Sequence, residues 1–114
     1  MVETIEERRD GHRVKINLPV RFYARGNSEI VATVSENISA EGLRFVHARF
    51  LAPQTVVMME ITLLQQMLTA VGKVVWSEPL PHSYRYHLGI EFLEFDFRER
   101  NFLQDYIQLH HGGL

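Results

Sequence analysis

Apolar and polar residues alternate along most of the chain from Val14 to Phe92, which is the period of β-strands. Turn-forming residues such as Gly, Asn, Ser and Pro divide this stretch into segments. The predicted strands are residues 14–23, 29–36, 43–48, 55–63, 68–77 and 84–92. Six short strands at this close spacing predict a small antiparallel β-barrel.

Two of these segments carry more specific expectations. Pro19 interrupts the first one, and because proline has no N–H to donate to a sheet, we expect an edge strand or a bulge there. The last segment alternates most strongly. Its apolar, inward face is predicted to comprise Tyr84, Tyr86, Leu88, Ile90 and Phe92.

From Asp96 onward the period becomes that of an α-helix. Asp96 can cap its first turn, and Glu99 three residues later completes a pattern like a capping box. One helical face is apolar and comprises Phe102, Leu103, Tyr106 and Ile107. This face needs a partner, which the barrel supplies. The predicted fold is therefore mainly β, a six-stranded antiparallel barrel with a C-terminal α-helix.

The chain begins with a polar segment. Residues 1–13 contain little to bury and are predicted to form a flexible arm that leads into one domain of residues 14–114. The arm lacks the apolar stretch of a signal peptide, and no apolar run approaches the roughly 20 residues that cross a bilayer. These features predict a cytoplasmic protein without membrane insertion.

Charge changes this picture locally but not globally. The formal net charge of −2 gives no overall attraction to nucleic acid or to an anionic membrane. Arg8, Arg9 and Arg13 nevertheless fall close together, and arginine suits bidentate contacts with phosphate or guanine. A solvated basic segment, balanced by neighbouring acidic residues, is the alternative interpretation of this cluster.

The sequence gives little support for a catalytic site or a metal-binding site. The chain has no cysteine, which excludes disulfides and thiolate metal sites. Its six histidines include no pair with the helical spacing and glutamate of a zinc enzyme. No nucleophile lies beside a base, and no glycine-rich loop suits a phosphate. We therefore expect neither an enzyme nor a bound metal or cofactor.

Two short motifs carry the candidate chemistry. The first is Arg9-Asp-Gly-His-Arg13, and the second is the loop Asn37-Ile-Ser39-Ala-Glu-Gly42. Each is weak alone, because polar turns of this composition are common. In this order and on these elements they resemble the RxxxR and D/N-x-S-x-x-G motifs of the PilZ family. Residues 72–76 and 88–92 are also similar to inner strands of that family, so the resemblance extends from about Glu7 to the C-terminal helix.

The resemblance implies a bacterial domain that binds the second messenger cyclic di-GMP. The residues expected at the ligand are Arg8, Arg9, Arg13, Asn37, Ser39 and Gly42. Arginine can donate two parallel hydrogen bonds to phosphate or to guanine O6 and N7. Asn37 can read a guanine edge, and Ser39 adds a hydroxyl. Gly42 permits a positive φ or a close approach of backbone.

The position of the arginines in an arm suggests how binding is signalled. Ordering an arm costs about 1–2 kcal/mol per residue, which a few charge-assisted hydrogen bonds of about 1.5–3 kcal/mol each can offset. We expect the arm to close over the ligand and relay its level to a partner protein. The chain can bind either one nucleotide or a stacked pair. Two are expected, because Arg8 can neutralise phosphates of a second, stacked molecule.

Two other functions are alternatives. One is a PilZ-type adaptor for pilus, motility or secretion machinery with weak or no nucleotide binding. The other is a β-barrel that binds single-stranded nucleic acid, which needs a basic groove with exposed aromatic residues. The acidic balance and the inward aromatic face argue against it. Trp76 can stack on a base, but its alternating position predicts a place in the barrel core.

Overall fold

The computed structural model describes residues 13–112, with side chains as far as His110. The elements are β1 (Pro19–Ala24), β2 (Val31–Ile38), β3 (Gly42–His47), β4 (Val56–Leu63), β5 (Gln66–Pro79), β6 (Tyr86–Phe95) and α1 (Phe97–Gly112). The strands pair antiparallel in a closed barrel of order β1-β2-β3-β6-β5-β4. The predicted fold class is confirmed. Most of the predicted arm, including Arg8 and Arg9, lies outside the described residues.

Alternation along the strands fills the barrel interior. On β4, Val57, Met59, Ile61 and Leu63 are buried, while the residues between them face outward. The same pattern on the other strands adds the remaining strand residues of one apolar cluster. Burying a side chain of this size stabilises a fold by about 1.5–3 kcal/mol. The apolar interior therefore stabilises the barrel.

The first strand begins later than predicted. Pro19 is its first residue and pairs with Val34 inside a closed barrel, so the expected edge strand or bulge at Pro19 is wrong. The preceding residues bond to β2 through both backbone and side-chain groups, and the carbonyl of Leu18 accepts the N–H of Ser35 at 2.9 Å. Ser35 Oγ donates to the carbonyl of Ile16 at 2.6 Å and accepts the N–H of Leu18 at 2.9 Å. This hydroxyl replaces two backbone partners, so residues 15–18 follow β2 without being a strand.

The sixth strand also starts later than its sequence pattern predicts. Leu88 and Ile90 are buried as expected, and Tyr86 and Phe92 pack against the core. Tyr84, however, is 97% exposed in the loop before β6, so its predicted inward position is wrong. A hydrogen bond of 2.9 Å from Leu80 N–H to the carbonyl of Arg85 closes that loop and takes Tyr84 out of the alternation.

Helix α1 begins and packs largely as predicted. Asp96 Oδ2 accepts the N–H groups of Arg98 and Glu99, each at 3.1 Å, which caps the first turn. The Glu99 carboxylate does not complete a capping box but accepts the N–H of Thr69 on β5 at 2.9 Å. On the predicted apolar face, Leu103 and Ile107 are buried in the barrel cluster, and Phe102 and Tyr106 pack beside them. Within residues 13–112, no helix has the length and apolar character to cross a membrane.

One histidine makes the stability of this fold depend on pH. His47 packs edge-on against Phe22, with ring centroids 5.2 Å apart. Burial and then the charge of Arg49 lower the pKa of His47 below 6.5, against a smaller opposing effect of Glu29. The unfolded chain therefore binds more protons than the folded chain as pH falls through about 6.5. The contribution of His47 to the free energy of unfolding is therefore largest above that pH and is lost below it.

We expect the variant His47→Gln to show a smaller rise in the free energy of unfolding between about pH 5 and 7 than the parent, because glutamine does not titrate. Urea denaturation across this range measures both slopes. Equal slopes in parent and variant would mean that His47 does not contribute to the pH dependence.

Candidate ligand-binding site

The two sequence motifs meet at the end of β2. Arg13 Nη1 donates a hydrogen bond of 2.8 Å to Asn37 Oδ1, across 24 positions of sequence. The backbone holds both residues in place, because Val14 and Ile38 exchange two N–H to carbonyl hydrogen bonds of 3.0 Å each. The last residue of the first motif and the first residue of the second therefore form one polar site.

Ser39 shapes the loop that joins β2 to β3. Its N–H donates to the carbonyl of Gly42 at 2.8 Å, and its Oγ accepts the N–H of Glu41 at 3.1 Å. The residue is only 1% exposed. These bonds make the serine a constituent of the turn, of the kind that short hydroxyl side chains often stabilise. Contact between this hydroxyl and a ligand stays a prediction.

Gly42 is required by a close approach of two backbones. A Cβ at this position would lie 2.0 Å from the carbonyl oxygen of Ile90 on β6. Its φ is not positive, since among the described glycines only Gly26, at 89°, has that conformation. Of the two reasons that the sequence offers for a glycine here, the close approach applies and the positive φ does not.

The same loop is attached to two further elements. Phe92 N–H donates to the carbonyl of Glu41 at 2.8 Å, which ties the loop to β6. Arg100 Nε donates to the carbonyl of Ala40 at 3.1 Å, which ties it to the first turn of α1. These two attachments add to the hydrogen bonds within the loop, so it can present backbone and side-chain groups in a fixed arrangement.

A row of residues crosses the outer face of the barrel from this loop. Asn37 pairs with Arg44 on β3, Arg44 with Gly89 on β6, and Gly89 with Trp76 on β5. Adjacent strands lie about 4.8 Å apart, so the row spans roughly 14 Å. The sequence motifs identify only its first member.

Arg44 is held in this row by an acidic neighbour. Its Nε donates to Glu36 Oε1 at 3.0 Å, and His87 Nδ1 lies 2.9 Å from the same oxygen. The Arg44 side chain is 38% exposed, so a surface ligand can reach it. No sequence signal marked Arg44, because its position beside Asn37 depends on strand pairing.

Trp76 lies on the outer face and not in the core, so that prediction is wrong. The register shifts between Val74 and Trp76, which places Trp76 opposite Gly89 and no longer in the inward series of Val74. A Cβ on Gly89 would lie 2.3 Å from Trp76 Cε2, so the half-buried indole rests directly against this glycine. Glycine inside a strand often indicates such a close approach, and Gly89 was the available signal.

Within the part of the chain that the structure describes, no group of three or more His, Asp or Glu side chains is placed to bind a metal ion. The site instead combines arginine, an amide and an aromatic ring. Arginine and amide groups suit hydrogen bonding to phosphate and base edges, and the indole suits stacking. This chemistry fits a nucleotide.

Comparisons with known proteins agree with this fold. The PilZ domain family matches residues 7–109 of the chain, whereas no curated protein matches it. The inhibitor of motility MotI/DgrA of Bacillus subtilis is similar in structure, with a TM-score of 0.79 and 20% identity, over 89% of this chain and 50% of that one. The chain therefore spans about half the length of that protein.

Two further solved structures share the fold. The PilZ domain of CeSA from a cellulose-synthesizing bacterium has a TM-score of 0.60 and 16% identity, over 90% of this chain and 96% of that one. PlzA of Borreliella burgdorferi, solved in complex with c-di-GMP, has a TM-score of 0.57 and 12% identity, over 98% of this chain and 57% of that one. At these identities the likeness concerns the fold.

Proposed function

Because the chain belongs to the PilZ family, we propose that it binds cyclic di-GMP and relays the level of this messenger to a partner protein. The family comprises cyclic di-GMP receptors and adaptors that act on effector proteins. The observation that carries the proposal is the 2.8 Å hydrogen bond from Arg13 to Asn37, which joins the two family motifs in one site.

The polar groups of the site match the ligand. Cyclic di-GMP carries two anionic phosphodiesters and two guanines. The Arg13 guanidinium has five N–H donors in a planar fork that suits phosphate oxygens or guanine O6 and N7. The Asn37 amide pairs with a guanine edge beside it. Arg44, next to Asn37 in the cross-strand row, adds a second cation on the outer face.

Trp76 supplies a surface for a guanine ring. Its indole rests on Gly89, and Gly89 separates it from Arg44 in the same row. A base that stacks there places its phosphate toward the arginines. Stacking of a base on an aromatic side chain is worth about 1–3 kcal/mol.

The chain has a single tryptophan, so its fluorescence reports directly on this contact. We expect cyclic di-GMP to quench Trp76 emission saturably, while GTP at the same concentration does not. Trp76→Ala should weaken binding by about 1–3 kcal/mol, measured by calorimetry, and Trp76→Phe should retain most of the affinity because a stacking ring remains. Unchanged emission on saturation, or an alanine variant that binds like the parent, would remove Trp76 from the site.

We propose that the N-terminal arm relays the binding of cyclic di-GMP to the partner protein. Arg8 and Arg9 precede Arg13 by only a few residues, so ligand at Arg13 lies within their reach. Their charge-assisted hydrogen bonds offset the entropy of ordering a few residues. Closure of the arm changes the surface that a partner meets. Two stacked nucleotides bring four phosphate charges together, and Arg8 is the additional cation that this arrangement needs.

In this proposal the protein is a cytoplasmic receptor and not an enzyme. The adaptor with weak or no nucleotide binding is the alternative, and the two differ in one measurable property. A receptor binds cyclic di-GMP directly, whereas the adaptor acts on its partner without the messenger. The presence of both motif arginines and of Asn37 favours the receptor.

A further inference from the structure

A groove of about 410 Å³ lies on the outer face of β1, β4, β5 and the end of β6, and none of residues 37–42, the motif loop, lines it. Its apolar surface is a cross-strand row in which Tyr23 pairs with Met58 and Met58 with Val71. Outward positions on a barrel are normally polar, because the other face of each strand fills the core. Tyr23 is nevertheless 40% exposed, and Ile30 at the rim is 56% exposed.

Acidic side chains border this apolar row. Val71 pairs with Glu94 on β6, which continues the row to a carboxylate. The parallel row next to it contains Arg21 and Glu60, whose Nη1 and Oε1 atoms lie 3.7 Å apart. Asp96 also lines the groove. Of these carboxylates, that of Asp96 caps α1 and that of Glu60 pairs with Arg21. Glu94 is left, and among the described residues no cation pairs with it.

We propose that this groove is the docking site for a segment of a partner protein that carries both apolar and basic side chains. The apolar side chains cover Tyr23, Met58 and Val71, and a Lys or Arg of the partner pairs with Glu94. The barrel is closed, so a partner cannot add a strand to an edge and must be recognised through side chains. The excess of carboxylates selects a basic segment over an acidic one.

The first turn of α1 connects this groove to the motif loop. Asp96 lines the groove, and Glu99 accepts the N–H of Thr69, another lining residue, at 2.9 Å. One residue further, Arg100 donates to the carbonyl of Ala40 in the motif loop at 3.1 Å. The connection through α1 to the motif loop distinguishes this groove from other exposed apolar surface. It supplies the partner surface that the proposed function requires, but its test needs no nucleotide.

The test uses the intact chain without nucleotide and a short synthetic peptide of alternating leucine and lysine. Two otherwise equal peptides, with glutamate for lysine and with serine for leucine, are the comparison ligands. With 13C-methyl methionine, Met58 reports on the groove, while Met67 is 51% exposed and does not line it. We expect the leucine-lysine peptide alone to shift the Met58 methyl signal saturably, with Met67 unchanged.

Charge reversal makes the test specific to this groove. Glu94→Lys should weaken the peptide about fivefold, the scale of a surface ion pair. Asp105→Lys makes the same change of net charge at an exposed position of α1 outside the groove and should leave affinity unchanged. Absence of a Met58 shift, an equal response to the glutamate peptide, or unaltered affinity in Glu94→Lys would overturn the proposal. None of these results bears on nucleotide binding.

Discussion

Arg13→Ala is expected to weaken cyclic di-GMP binding by about 1.5–3 kcal/mol, which is roughly tenfold to a hundredfold in the dissociation constant. The guanidinium lies at the point where the two motifs meet and donates to Asn37 at 2.8 Å. Alanine removes the donors for phosphate or guanine and leaves Asn37 without this partner. Isothermal titration calorimetry measures the loss, and the melting temperature should change little because Arg13 lies outside the core cluster.

One further variant at this position and one control elsewhere separate the planar guanidinium of Arg13 from its charge. Arg13→Lys keeps the charge but loses the planar fork, so it should bind between the parent and the alanine variant. Arg25→Ala removes an equal charge from an exposed turn beyond β1, at the opposite end of β2 from Asn37, and should bind like the parent. If Arg13→Ala and Arg25→Ala had the same affinity, Arg13 would not be a ligand residue.

Gly42→Ala is expected to destabilise the whole domain by about 3 kcal/mol or more, the upper range for forcing atoms into a packed interior. The added Cβ would lie 2.0 Å from the carbonyl oxygen of Ile90, and backbone of a neighbouring strand cannot move aside as a side chain can. Urea denaturation measures the loss. Binding should fall with it, because the motif loop ends at Gly42, where β3 pairs with β6.

Gly26 offers the matched control. It has a φ of 89°, but a Cβ there would meet nothing within 4 Å. Gly26→Ala should therefore cost only the strain of a left-handed residue, about 1–2 kcal/mol. A Gly42→Ala variant as stable as the Gly26→Ala variant would contradict the close approach to Ile90.

The sequence predicts the elements better than it predicts their faces. Strict alternation identifies β4 and the middle of β6, and helical spacing identifies the buried face of α1. Each depends on neighbours in sequence. Alternation predicts a core position for Trp76, but a register shift next to Val74 moves the residue to the outer face. The alternating pattern of a sequence does not reveal such a bulge.

The candidate site shows the same division. The motifs identify Arg13 and Asn37 by their residue types, and the structure brings them into contact. Arg44 and the apolar row of the groove are not visible in the sequence, because their positions follow from which strands pair and in what register. The late start of β1 has a similar cause, since the Ser35 side chain takes two of the hydrogen bonds that a strand ladder would make.

Binding of cyclic di-GMP can be measured in one calorimetric titration of the chain, with GTP and cyclic di-AMP as control ligands. It is carried out at a protein concentration well above the dissociation constant, so that the ratio of nucleotide to chain is read from the same curve. We expect a saturable heat of binding for cyclic di-GMP alone, with two nucleotides bound per chain. No binding of cyclic di-GMP, or equal binding of all three nucleotides, would contradict it.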